Sequence, residues 1–192
     1  ELIAYHEAGH TLVGWLLPDA SPVLKVTVIP RGQALGLTWN LPDERVIQSR
    51  DQLMAELCVL MGGRVAEEIH SGVPCSGALN DLERLTRLAY AMVSYYGMNE
   101  RIGNISFYDS TGERGFDLTK PYSENTATAI DEEVKKLVDE VHERTLKLIK
   151  EHADGFEQLA RELIDKEVVL AEDIERILGP KAGKHGEERF EE

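Results

Sequence analysis

Along much of the chain, apolar side chains recur every three to four residues, the spacing that places them on one face of a helix. Residues 1–17 form the first such run, and Pro18 ends it. A second run begins after the capping-box pair Ser49 and Gln52 and reaches about His70. The pattern therefore predicts two helices before a stretch of turn residues.

That stretch, residues 71–81, separates the second helix from a third. Asn80 or Asp81 is expected to cap the third helix, which runs to about Val93. Residues 97–122 contain several glycines and little apolar periodicity, so a long loop is predicted there.

The last third of the chain again has a helical pattern. One run extends from Ser123 to about His152, and Asp154 with Glu157 is expected to cap a shorter helix after it. Residues 172–178 form the last predicted helix.

Two short runs, residues 23–30 and 34–41, are instead rich in residues that favour strands, and they predict a small hairpin. Gly62 and Gly63 interrupt the second helix at a cost of roughly 1 kcal/mol each, which indicates that another backbone approaches closely there. The fold is therefore predicted to be mainly α, a helical domain with a small β-sheet or hairpin and a C-terminal helical bundle.

Composition narrows the class of protein. The chain has 192 residues with 35 acidic and 21 basic side chains, a formal net charge of −14. Nucleic acid is therefore not an expected partner. Every apolar stretch falls well short of the roughly 20 residues that cross a bilayer, so a soluble fragment is expected.

The first helix carries the strongest chemical signal. His6, Glu7 and His10 form an HExxH pattern, in which two histidines one helical turn apart can bind one metal ion. Glu7 lies about 100° further round the helix than His6, which suits a general base better than a ligand. The pattern predicts a zinc site that activates water.

Zinc held for catalysis usually takes three protein ligands, so a third is required. The extended motif HExxHxxGxxH fails because Val13 and Leu16 stand at its later positions. Glu67 and Glu68 on the second helix, and Asp81 at the start of the third, are the candidates. Spacing alone leaves this choice open.

Several segments together resemble the peptidase domain of the FtsH family of ATP-dependent zinc metalloproteases. In chain order they are HEAGH, IPRGQALGLTWNLP, GGRVAEEIHSG, SGALNDLERLT and YYGMNERIG. The resemblance implies one zinc ion per chain, held by His6, His10 and Asp81, with Glu7 as catalytic base. It also implies that Glu67 or Glu68 orients a ligating histidine.

The resemblance further implies a substrate strand. Residues 34–40 resemble the family's edge strand, to which an extended peptide can add by main-chain hydrogen bonds. The residues expected to contact substrate are Ala34, Leu35, Gly36, Leu37 and Thr38. An ordinary half-buried hairpin strand is the alternative.

The expected partners also come from the resemblance. They are unfolded or membrane protein substrates, an AAA+ motor in the same parent chain, and five further copies in a homo-hexamer. No Walker A sequence is present, so ATP is expected to act only through that motor. The parent protein is expected in a bacterial inner membrane or an organelle membrane, with this domain on the cytoplasmic, matrix or stromal side.

Residues 1–178 are expected to form the metallopeptidase domain, with 1–122 as catalytic core and 123–178 as C-terminal helical part. Residues 179–192 are expected to be a disordered tail. The apolar stripe from Ile130 to Ile149 is expected to offer a surface for self-association, and packing within the chain is the alternative.

Two rival hypotheses belong to other classes of protein. In one, zinc only stabilises a helical scaffolding or oligomerisation module, although no fourth ligand is well placed to close a structural site. In the other, the domain binds no metal and the histidines are core residues.

Overall fold

A computed structural model describes residues 1–29, 36–40, 47–108 and 120–183. Over these residues it contains six helices and three short strands, so the prediction of a mainly α fold with a small sheet is confirmed. The helices are α1 Leu2–Leu16, α2 Arg50–Ser71, α3 Leu79–Ser94, α4 Glu124–Glu151, α5 Ala153–Lys166 and α6 Ala171–Leu178. The strands are β1 Val23–Thr27, β2 Leu37–Asn40 and β3 Val168–Leu170.

The predicted hairpin forms the first two strands of an antiparallel sheet in the order β2-β1-β3. The third strand was not predicted, because three residues are too few to show an alternating pattern. Glu167 joins the sheet just before β3, where its carbonyl accepts hydrogen bonds from the Val28 amide and the Thr27 hydroxyl, both at 3.0 Å.

Of the three predicted helix caps, the one of α2 is present and those of α3 and α5 are wrong. Ser49 forms the predicted capping box with Gln52 at the start of α2, and Ser123 caps α4. No side chain caps α3 or α5. Asn80, Asp81 and Asp154 lie within the first turns of their helices, so their side chains are free for other contacts.

The core lies around α1, which is buried over most of its circumference. α2 packs along one side of α1, and α5 packs on another side. Gly9 and Gly62 face each other so closely that a Cβ atom on Gly62 would lie 2.8 Å from the Gly9 carbonyl oxygen. The close backbone approach predicted from the glycine pair is therefore present.

The long helix α4 packs against α2 and α3. This packing buries its apolar stripe within the chain. The buried residues are Ile130, Val134, Leu137, Val141 and Ile149. The expectation that this stripe forms a surface for self-association is therefore wrong.

Within the described ranges, the length and polarity of every helix rule out a transmembrane segment. Of the expected tail, residues 179–183 are described and contact α1: Trp15 donates a hydrogen bond of 2.8 Å to the Gly179 carbonyl oxygen, and Lys181 Nζ lies 3.1 Å from the Gly14 and Leu17 carbonyl oxygens. Residues 184–192 lie outside the described residues, as do 109–119 of the predicted loop.

Candidate metal centre

Three side chains from two helices meet at one point beside α1. The Nε2 atoms of His6 and His10 are 2.9 Å apart, and Asp81 Oδ2 lies 3.2 Å from the first and 3.3 Å from the second. The cluster joins the two histidines of the HExxH pattern to one of the three candidate ligands.

The local sequence explains how these side chains meet. His6 and His10 lie one turn apart on α1, so both rings leave the helix on the same side. Gly63 of α2 gives them room, because a Cβ atom there would lie 2.5 Å from the His6 ring and 2.6 Å from His10 Nε2. Asp81 comes from the first turn of α3, opposite both rings.

Hydrogen bonds on the far side of each ring fix its orientation. His10 Nδ1 lies 2.7 Å from the Val59 carbonyl oxygen, to which it can only donate. His6 Nδ1 lies 2.9 Å from Glu67 Oε1. A neutral ring that donates from Nδ1 carries a lone pair on Nε2, as a metal ligand must, whereas a protonated ring can donate from Nε2 to Asp81.

The two glutamates on α2 differ in their surroundings. Glu67 is only 1% exposed, and its Oε1 atom contacts His6. Its Oε2 atom has no hydrogen-bond partner among the described residues. Glu68 is directed away from the cluster, and its carboxylate contacts Arg64 and His142, each at 2.9 Å. Of the two, Glu67 is therefore the one beside a candidate ligand.

Glu7 is buried beside the cluster and has its own partner. Thr38 of β2 donates a hydrogen bond of 2.8 Å to Glu7 Oε2. Gly36 lies against the same carboxylate, since a Cβ atom there would be 2.6 Å from Oε1. The start of β2 thus covers the carboxylate of the HExxH pattern.

The charges of the cluster are strongly coupled. Burial alone would lower the pKa of His10, but the neighbouring carboxylates of Asp81 and Glu7 and the Val59 carbonyl outweigh it, so this pKa is raised. Burial acts to raise the pKa of Asp81, but hydrogen bonds from His10 and His6 lower it well below its usual range. Asp81 is therefore ionised at neutral pH and ready to bind a cation.

The cluster lies in a cleft of about 670 Å³. Gly36, Leu37 and Thr38 line this cleft, and β2 is an edge strand in the described sheet. Ala34 and Leu35, also expected to contact substrate, lie outside the described residues.

The donor set fits zinc. Atoms bound to zinc at about 2.0–2.1 Å in tetrahedral geometry are separated by about 3.3 Å, close to the three separations in the cluster. Two imidazole nitrogens and one carboxylate oxygen are also a usual ligand set for catalytic zinc. Within the described part of the chain, no fourth histidine, cysteine or carboxylate joins the group.

Several contributors to the site were not predicted from the sequence. The role of the Val59 carbonyl is invisible in a sequence, because every residue has a backbone carbonyl. Thr38 was expected to contact substrate, and its hydrogen bond to Glu7 was missed. The glycine pair on α2 correctly indicated a close backbone approach, although it did not show that Gly63 borders the histidines.

In comparisons with known proteins, all the residues of this site lie within the part of the chain that matches one protein family. The family model for peptidase family M41 matches residues 1–177. An ATP-dependent zinc metalloprotease FtsH of Parabacteroides distasonis is 50% identical over 180 residues, which cover 94% of this chain and 26% of that protein.

Similar proteins occur in other bacteria and in plants. One of the same name from Rhodothermus marinus is 50% identical over 94% of the chain and 26% of its own length. The mitochondrial ATP-dependent zinc metalloprotease FTSH 3 of Oryza sativa is 43% identical over 95% of the chain and 23% of its own length. The chain thus spans about a quarter of the length of these curated relatives.

Proposed function

Because the chain belongs to peptidase family M41, we propose that it is a zinc-dependent endopeptidase of the HExxH type, acting on unfolded or translocated polypeptides. One observation carries the proposal: the Nε2 atoms of His6 and His10 and Oδ2 of Asp81 converge beside the buried carboxylate of Glu7.

Each residue has a distinct role in this proposal. His6, His10 and Asp81 would hold one zinc ion, which supplies a Lewis acid that activates water and polarises the scissile carbonyl. Glu7 accepts a proton from the attacking water at Oε1 and delivers it to the leaving amine nitrogen. Thr38 keeps Oε2 in place by its hydrogen bond, and Glu67 orients the His6 ring.

The substrate is proposed to bind as an extended strand. Gly36, Leu37, Thr38 and Asn40 line the cleft along the described edge of the sheet, so the outer side of β2 can pair with a peptide through main-chain hydrogen bonds. Main-chain pairing makes little demand on side-chain sequence, which suits unfolded substrates of many kinds.

The larger assembly is proposed from the relatives, whose names describe ATP-dependent enzymes. In this proposal an AAA+ motor in the same parent chain supplies threaded substrate to a homo-hexamer anchored in a bacterial or organelle membrane. Residues 1–178 act as the metallopeptidase domain, with 1–122 as catalytic core and 123–178 as helical support.

A metal-stabilised scaffolding module is the alternative. Zinc that only stabilises a fold is normally closed by four protein ligands, whereas the cluster offers three. A buried carboxylate aimed into a cleft also has no purpose in such a module. These two features favour the peptidase.

The test is metal content and hydrolysis of a short flexible peptide, which needs no unfolding by a motor. We expect one zinc per chain and hydrolysis that a chelator abolishes and added zinc restores. Glu7→Gln should lower kcat by roughly 10²- to 10⁴-fold, because an amide cannot accept the proton, while zinc content stays unchanged. Zinc without hydrolysis would favour the scaffold, and near-full activity of Glu7→Gln would remove Glu7 as the base.

A further inference from the structure

Arg64, which lies one turn before Glu67 on α2, makes two polar contacts at once. Its Nη1 atom donates a hydrogen bond of 2.6 Å to the Cys75 carbonyl oxygen. Its Nε atom lies 2.9 Å from Glu68 Oε1. The guanidinium therefore joins α2 to the segment that follows it.

That segment, residues 72–78, connects α2 to the first turn of α3, which carries Asp81. Most of it is exposed, and only Ala78 is buried, so apolar packing does little to hold its path. Gly77 nevertheless lies so close to Glu67 Oε1 that a Cβ atom would collide with it. The path of the segment thus affects both Asp81 and the carboxylate that contacts His6.

The guanidinium is itself anchored from outside α2. Glu68 Oε2 lies 2.9 Å from Nε2 of His142 on α4, so Glu68 is held between Arg64 and α4. All three side chains are at least partly shielded from water, with exposed fractions of 21%, 27% and 34% for Arg64, Glu68 and His142. A charge-assisted hydrogen bond in such surroundings fixes geometry better than one on an open surface.

We propose that Arg64 is a positioning residue for the third metal ligand, acting through the Cys75 carbonyl to fix where Asp81 enters the site. Glu68 and His142 hold the guanidinium in place. The inference rests on the proposed function, since it assigns Arg64 to the site that holds zinc there. The forked guanidinium matters, because a lysine at position 64 has a single nitrogen and cannot contact both acceptors in the same geometry.

The test measures metal binding by the full chain rather than its activity. Zinc-free protein is titrated with Co²⁺, whose visible absorption reports the geometry of its ligands, and with Zn²⁺ in competition. We expect Arg64→Gln and Arg64→Lys to weaken binding by about tenfold and to change the Co²⁺ spectrum. The unfolding temperature of the zinc-free variants should remain close to that of the parent chain.

Arg87→Gln is the matched control. This variant removes another arginine–carboxylate pair, that of Arg87 with Glu83 at 2.6 Å, from the same helix as Asp81. Arg87 is 74% exposed, and its described ion pair and hydrogen bond are with Glu83 rather than with residues 72–78. This variant should bind Co²⁺ as the parent chain does.

Wild-type affinity and spectrum in both Arg64 variants would overturn the proposal. If Arg64→Gln failed to fold, Arg64→Lys would decide alone, and unfolding of both would assign the arginine to the fold instead. If the parent chain itself bound no metal, the proposed function would fail first, so the two failures are distinguishable.

Discussion

At the first turn of α3, Asp81 stands where a sequence allows either a helix cap or a metal ligand. The helix begins two residues earlier, at Leu79, so the carboxylate is not needed as a cap. It contacts both histidines of the HExxH pattern instead. The ambiguity disappears once the start of one helix is known to within a residue or two.

We predict that Asp81→Ala loses stoichiometric zinc, because two histidines alone bind the ion far more weakly than three ligands do. Asp51→Ala is the control, since Asp51 also lies in the first turn of a helix, but it is exposed on α2. Both variants lose the same favourable interaction with the helix N-terminus. Metal analysis after dialysis should show zinc retained by Asp51→Ala alone. Retention by Asp81→Ala together with loss by Glu67→Ala would move the third ligand to α2.

At the scale of elements, the metal centre depends on how closely α1 and α2 pack. The same interface brings Val59 and Glu67 of α2 to the far sides of the two histidine rings. Gly9 permits this approach, because a Cβ atom there would collide with the Gly62 carbonyl and lie 2.6 Å from the Ala66 Cβ. The spacing of two helices therefore sets the orientation of the candidate ligands.

We predict that Gly9→Ala lowers the free energy of unfolding by roughly 1–3 kcal/mol, because the backbone of α2 cannot move aside without separating the helices. Gly14→Ala on the same helix is the control. Its Cβ atom would meet only side chains, 3.2 Å from Val23 and 3.8 Å from Val59, and alanine favours the helix by up to ~1 kcal/mol. Urea denaturation of zinc-free protein should show a clear loss for Gly9→Ala and little change for Gly14→Ala. Equal stability of the two variants would mean that the interface can relax.

The elements that the sequence predicts are those with long periodic patterns or a capping box. α1, α2 and α4 were predicted close to their observed bounds, since each has an apolar face of several turns. The strand β3 was not predicted, because three residues are too few to show a pattern. The start of α3 was placed wrongly, because no capping side chain marks it. The HExxH pattern gave two candidate ligands by spacing within one helix, whereas the candidate Asp81 comes from a distant helix and required the family resemblance.

At the scale of the whole molecule, self-association requires a different surface from the one that the sequence predicted. The apolar stripe of α4 is buried within the chain, so it cannot bind another copy. Exposed aromatic side chains lie after α3 instead: Tyr95, Tyr96 and Tyr108 are 40%, 55% and 62% exposed, and the Tyr95 and Tyr108 rings are 5.4 Å apart. Clustered exposed aromatic residues are typical of protein interfaces.

We predict that association toward the proposed hexamer increases with salt. A net charge of −14 opposes assembly by mutual repulsion of the copies. The Debye length, over which this repulsion acts, falls from about 10 Å at 0.1 M to about 3 Å at 1 M ionic strength. Contacts between aromatic side chains are not screened by salt. Sedimentation equilibrium at both salt concentrations measures this.

Two variants connect that association to the aromatic cluster. Tyr96→Ser should weaken this association, while Leu170→Ser, which removes a similarly exposed apolar side chain from the sheet, should not. Equal effects of the two variants would show that the cluster is not the contact. A chain that stays monomeric at every concentration and at both salt levels would mean that the ring is assembled by parts of the parent protein beyond these 192 residues. The proposed zinc site would then be regulated by access through those parts, because the described residues form the cluster of His6, His10 and Asp81 within one copy of the chain.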